Sequence, residues 1–144
     1  MYFQKSEVKG KTALVTGAGK GIGKASAIAL AEAGADLVIL SRTLTDLNKV
    51  KKQVNKLKKK CTVFECDVSN FEEVKSVFKQ INSLDILVNN AGTNRPEHFT
   101  KIKKEDMDYV VDLNLKAAFH VAQMASKLMI KAKNRKSIGG SIIN

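Results

Sequence analysis

The sequence predicts a doubly wound α/β fold, a parallel sheet with helices on both faces. Short apolar runs alternate with helical stretches of about 10–15 residues, the pattern of βαβ units joined by right-handed crossovers. The apolar runs are nearly continuous, as strands covered on both faces must be. The composition is globular, with 44% hydrophobic and 27% charged residues in 144. That length suits one domain.

The elements follow in order. Thr12–Thr16 is a buried strand that stops at a glycine. Gly21 to Ala33 is a helix rich in Ala, Ile and Leu, closed by Gly34, a C-terminal capping signal. Asp36–Leu40 is the second strand. Thr43 and Asp46 fit a capping box that opens a helix to about Lys58. Cys61–Cys66 is the third strand. Ser69 and Glu72 form a second capping box, and Phe71, Val74, Val77, Phe78 and Ile81 mark one helical stripe. Asp85–Val88 is the fourth strand. A loop around Pro96, the only proline, leads to a long helix from about Lys104 to Ile130, and Ser141–Ile143 begins a fifth strand.

Met1–Gln4 resembles the remnant of a cleavable tag, so residues 1–8 are read as a leader and 9–144 as one domain. No run approaches a membrane span and no apolar signal opens the chain, which places the protein in the cytoplasm as an expectation. Cys61 and Cys66 would point to opposite faces of a shared strand. They make no disulfide framework, and no metal-ligand spacing is present. The net charge of +11 admits a polyanion partner. The lysines are spread over several helices without interleaved aromatics, so nucleic acid is not expected.

The segment Thr16-Gly-Ala-Gly-Lys-Gly-Ile-Gly23 carries the chemistry. It lies between the first strand and the first helix, the setting in which a glycine-rich loop holds phosphate. Gly17 suits the sharp turn, Gly21 the close approach of a pyrophosphate, and Gly23 tight packing of the helix. Free N–H groups and the helix dipole would hold the anion. The spacing is G-x-x-x-G-x-G with an extra Gly19, and no Gly-Lys-Ser/Thr ends it.

Together with Cys66-Asp-Val68, Asn89-Asn-Ala-Gly92 and Asn114 in the long helix, this loop resembles the short-chain dehydrogenase/reductase family, from about Lys9 onward. The resemblance implies a Rossmann-type sheet, here reaching the fifth strand. It also implies an oxidoreductase that interconverts a carbonyl and an alcohol of a small-molecule substrate by hydride transfer with a nicotinamide dinucleotide. The loop Asn89–Pro96 resembles that of 3-oxoacyl-carrier-protein reductases and of sugar or polyol dehydrogenases. By the same resemblance Gly17, Gly21, Ile22 and Gly23 would line the pyrophosphate. Asp67 and Val68 would flank the adenine, and Asn90, Ala91 and Gly92 would lie along the riboses. Asp67 also reads as a helix-start residue, and Asn89 as a stabiliser of the sheet.

The position after the second strand bears on the cofactor. An acidic residue there would accept from a ribose 2′-OH. The chain has Ser41-Arg42-Thr43 instead. Arg42 can bind a 2′-phosphate bidentately, and Lys20 adds a second positive charge, as in NADP-preferring family members. NADP(H) is therefore favoured over NAD(H).

Asparagine is a poor mid-helix residue. In the resemblance Asn114 bends the long helix and holds a water in a proton relay, which makes it the one catalytic position in the chain. The family's serine, its tyrosine and the lysine four residues after that tyrosine cannot be assigned. Ser141 comes too early, and Leu113, not lysine, stands four residues after Tyr109. The family also implies that the long helix packs against its copy in a homodimer or homotetramer. On this reading the chain is the cofactor half of a longer enzyme, inactive and marginally stable alone. The alternative is a non-catalytic dinucleotide-binding module whose chain truly stops at Asn144.

Overall fold

The computed structural model describes residues 8–131 and 139–144. The leader's residues 1–7 lie outside the described residues. The sheet has five strands, β1 (Thr12–Thr16), β2 (Asp36–Ser41), β3 (Cys61–Glu65), β4 (Ile86–Val88) and β5 (Ser141–Ile143). Their order is β3-β2-β1-β4-β5 and every pairing is parallel. The order reverses between β1 and β4, where a doubly wound sheet opens a crevice at the carboxyl ends of its strands.

Side chains alternate across the sheet and build two cores. Leu14, Val38, Leu40 and Leu87 face α3 (Phe71–Lys79) and α5 (Ala118–Lys131). Ala13, Val15, Leu37, Ile39 and Ile86 face α1 (Gly21–Glu32) and α2 (Leu44–Lys56). A strand with apolar residues at every position therefore has a use for each of them.

Gly34 does close α1. The Ala35 N–H donates to the Leu30 carbonyl and the Gly34 N–H to that of Ala31, both at 3.0 Å, with Gly34 at φ +108°. This is a Schellman ending, which favours glycine at the left-handed position.

The capping boxes are corrected. Thr43 precedes α2, but its side chain makes no capping bond; its own N–H donates to Ser41 Oγ at 3.2 Å, and Asp46, which would have answered it, pairs with Lys49 at 2.8 Å. The cap of α3 lies one residue later than Ser69. Asn70 Oδ1 accepts from the Glu72 and Glu73 N–H groups, and Asn70 Nδ2 donates to Glu73 Oε1 at 2.9 Å. Ser69 is diverted to Asp67, whose Oδ1 accepts both its N–H and its hydroxyl.

The long helix is also divided. A 3₁₀ turn at Phe99–Lys101 precedes α4 (Lys104–Val111), and a π-helical stretch, Asp112–Ala117, joins α4 to α5. Asn114 lies inside that stretch.

Cys61 packs in the α1/α2 core and Cys66 in the α3/α5 core, on opposite sides of the sheet. Burial pushes both thiols up from 9.0 to about 11, with Glu73 and Asp67 adding to the effect at Cys66. A thiol harder to ionise in the folded state contributes stability that is intact below its unfolded pKa and is lost as the pH climbs through its folded one. The denaturant midpoint should fall between pH 9 and about 11. The fall should be shallower in the Cys61→Ala/Cys66→Ala double variant, as chemical unfolding across that range will measure.

Candidate dinucleotide site

The crevice at the β1/β4 reversal holds a cavity of about 500 Å³. Its floor is the glycine loop after β1. Its sides come from the turn after β2, the segment Cys66–Val68 after β3, and Asn90–Gly92 after β4. Four strand ends that are remote in sequence therefore meet in one place.

Thr16 is the pin of this junction. It is fully buried, and its Oγ1 accepts from the Asn90 and Ala91 N–H groups at 3.0 and 2.9 Å. The Asn90 Nδ2 donates back to the Thr16 carbonyl at 3.0 Å and approaches that of Gly17 at 3.4 Å. The ends of β1 and β4 are thus tied by side chains beyond the last paired residues. Gly17 turns the chain there with φ +64°, and a Cβ would sit 2.9 Å from Asn90 Nδ2. Gly23 is packed behind the loop and does not border the cavity. A Cβ on it would stand 2.4 Å from the Gly17 oxygen, so α1 can approach only as glycine. Gly21 is the converse, since a Cβ there would meet nothing within 4 Å. Ile22 beside it is 78% exposed and borders the cavity.

No side chain caps α1, and no acid sits in its first turn. Its leading N–H groups are free for an external anion, unlike those of α3, two of which donate to Asn70 Oδ1. The donor set therefore fits a pyrophosphate. Lys20 and Arg42 both border the same cavity. Asp46 does too, which the sequence reading missed. The hydrogen bond and charge of Lys49, aided by Lys20 and Lys24, hold the Asp46 carboxyl below its usual value. Asp46 and Ser41 crowd Gly19, each 3.2 Å from where its Cβ would be, which explains the extra glycine of the loop.

Asp67 and Val68 border the cavity, and Asp67 serves the start of α3 through Ser69 as well. Ala91 and Gly92 border it beside Asn90. Asn89 points elsewhere. Its Nδ2 donates to the Ala118 carbonyl at 2.7 Å and to Asn144 Oδ1 at 3.0 Å, joining β4 to α5 and to the residue after β5.

Asn114 does not border the cavity itself. Its side chain forms a reciprocal pair with Thr93, accepting the Thr93 N–H and donating to the Thr93 carbonyl, each at 2.8 Å. Gly92 lies against it, with 3.2 Å from its would-be Cβ to Asn114 Oδ1. The π stretch and the loop after β4 are stitched together at this point. Thr93 has no periodic signal in the sequence, and only the fold brings it to Asn114.

Among the described residues no helix is long and apolar enough to cross a membrane. No cluster of three or more His, Cys, Asp or Glu side chains among them could hold a metal ion.

The Thr16 joint predicts a specific loss. Thr16→Val keeps the volume but leaves two backbone N–H groups without an acceptor, a cost of about 1–3 kcal/mol each where they are buried. The variant should unfold at lower denaturant, and its affinity for adenine dinucleotides should drop by more than that of a surface control such as Lys52→Ala. Equilibrium unfolding and calorimetric titration will check this.

The short chain dehydrogenase family model matches residues 11–144. The chain is 35% identical over 141 residues to the 3-oxoacyl-[acyl-carrier-protein] reductase FabG of Thermotoga maritima, covering 95% of this chain and 55% of that protein. It is 35% identical over 135 residues to the L-xylulose reductase of Mus musculus, covering 94% and 52%. Among solved structures, a short-chain type dehydrogenase/reductase from Mycobacterium marinum superposes with a TM-score of 0.86 at 31% identity, over 94% of this chain and 55% of that one. An NAD+-bound xylitol dehydrogenase gives 0.79 at 34% identity, over 85% and 49%. The chain spans about half the length of the curated relatives it matches. With the parallel sheet, the glycine loop and the cavity at the strand reversal, these matches establish that the chain belongs to the short-chain dehydrogenase family.

Proposed function

We propose that this chain forms the cofactor-binding half of an NADP(H)-dependent oxidoreductase that interconverts a carbonyl and an alcohol on a small molecule. The observation that carries the reading is the cavity itself. One concave site combines an uncapped helix N-terminus, a glycine loop open above Gly21 that carries Lys20, and Arg42 at the turn where a carboxylate would select an unphosphorylated ribose. When bound, the nicotinamide supplies or accepts the hydride.

The residues take roles by position. Gly17, Gly21 and Ile22 and the first turn of α1 hold the pyrophosphate, with Gly23 letting that turn approach. Asp67 and Val68 bracket the adenine, and Asn90, Ala91 and Gly92 run beside the riboses. The Asn114 side chain is committed to Thr93. Through that pair Asn114 holds the stretch where the regular α ladder is broken, and there we place the relay water. Among the described residues, no tyrosine borders this cavity. Tyr109 is turned to Arg42 instead. We assign the chemical step to residues outside this chain.

Arg42 is the decisive test of the cofactor. Arg42→Ala should weaken NADPH binding by roughly tenfold or more, the size of one charge-assisted phosphate contact, and NADH binding far less. Equal losses for both would sink the NADP(H) assignment in favour of NAD(H), the cofactor bound in the solved xylitol dehydrogenase. Asn114→Ala should lower kcat of the full-length reductase by roughly a hundredfold while leaving NADPH affinity within about twofold, which steady-state kinetics and fluorescence titration will separate.

A further inference from the structure

Arg42 sits on an exposed turn, where a long side chain loses rotamer freedom if it is to hold one direction. In this structure it has a guide. Arg42 Nη1 donates to the Tyr109 hydroxyl at 3.3 Å, across 67 positions of sequence. Tyr109 is half-buried in α4 and does not border the cavity. Its ring is held in turn, because the Arg95 guanidinium stacks over it 4.1 Å from the ring centroid. Arg95 is fixed by an ion pair with Asp106, in the same helix as Tyr109. The chain of contacts therefore runs from the loop after β4, through α4, to the rim of the cavity.

The chemistry of the chain is selective. A carboxylate beside Arg42 would orient it and also cancel its charge. The phenol oxygen is a neutral acceptor, so it orients the guanidinium and leaves the charge for a ligand. The acid in this cluster, Asp106, is taken by Arg95, and Arg95 meets Tyr109 through the electron-rich ring face. The cluster thus holds two cations on one tyrosine and neutralises only Arg95, which does not border the cavity.

We propose that Tyr109 is a positioning residue that presents Arg42, with its charge unspent, to the phosphate-bearing ribose of the dinucleotide, and that the Arg95–Asp106 pair locks Tyr109 for this purpose. The proposal rests on the reading of Arg42 as the 2′-phosphate ligand.

The test uses two probes, adenosine 2′,5′-bisphosphate and 5′-AMP, titrated by calorimetry into the protein expressed from its complete gene. Tyr109→Phe retains the ring under Arg95 and removes only the hydroxyl, and thermal unfolding will confirm that it folds. Tyr109→Phe should weaken the bisphosphate by about three- to tenfold, the size of one hydrogen bond, and 5′-AMP by less than about twofold. In an Arg42→Ala background the same substitution should change neither. Three results would overturn the proposal: equal weakening of both probes, no weakening of either, or an undiminished loss without Arg42. If the unmutated protein binds both probes equally, the 2′-phosphate reading falls and takes the proposal with it. If the protein discriminates, Arg42→Ala abolishes the discrimination and Tyr109→Phe preserves it, the proposal alone falls.

Discussion

The rest of the site depends on two hydrogen bonds accepted by one buried hydroxyl. Thr16 ends β1, and its Oγ1 holds the amides of Asn90 and Ala91, just beyond β4. In a parallel sheet the ends of adjacent strands are free to splay once their ladder stops, and here the ladder between β1 and β4 ends at Val15 and Val88. The Thr16 hydroxyl and the Asn90 amide continue the pairing by other means. They fix the distance between the glycine loop and the segment Asn90–Gly92, and so the width of the cavity. Gly17 and Gly23 are required by that closeness, because each would press a Cβ into the joint.

A second constraint acts from the other side. The break in the helical ladder at Asp112–Ala117 turns Asn114 toward the backbone of Thr93. The side chain that is a poor α-helix residue becomes a satisfied partner of an extended segment with two unpaired backbone groups. Gly92 lies between the two stitches, held by Asn90 on one side and by the Thr93–Asn114 pair on the other. The loop after β4 is thereby rigid at the position where it borders the cavity. Its continuation toward Arg95 is tied to α4 through Asp106 and Tyr109.

The electrostatics follow the same division of labour. The chain carries a net charge of +11, so positive residues near the cavity are unremarkable by themselves. What distinguishes them is how their neighbours are spent. Asp46 borders the cavity but is paired with Lys49, and Asp106 is paired with Arg95. Asp67 gives one oxygen to Ser69. Arg42 is held by a neutral phenol, and the leading amides of α1 have no capping side chain. At the cavity, the donors left without an acidic partner are those that an anionic ligand would meet.

The strand and helix alternation, the glycine loop and the ending of α1 at Gly34 are legible in the sequence. Each of these is a local matter of apolar periodicity or of a backbone position that glycine fits. It also pointed to Asn114 as anomalous, because a propensity conflict is visible without coordinates. The start of α3 was misplaced by one residue, since Ser-x-x-Glu and Asn-x-x-Glu overlap there and only the competition from Asp67 decides between them. The tertiary structure alone decided the partners. Thr16 with Asn90, Asn114 with Thr93, and Arg42 with Tyr109 are pairs 74, 21 and 67 residues apart. No pattern in one strand or helix encodes which distant backbone amide or phenol will be within reach. That is set by the order of strands in the sheet and by the crossing of α4 past the turn after β2.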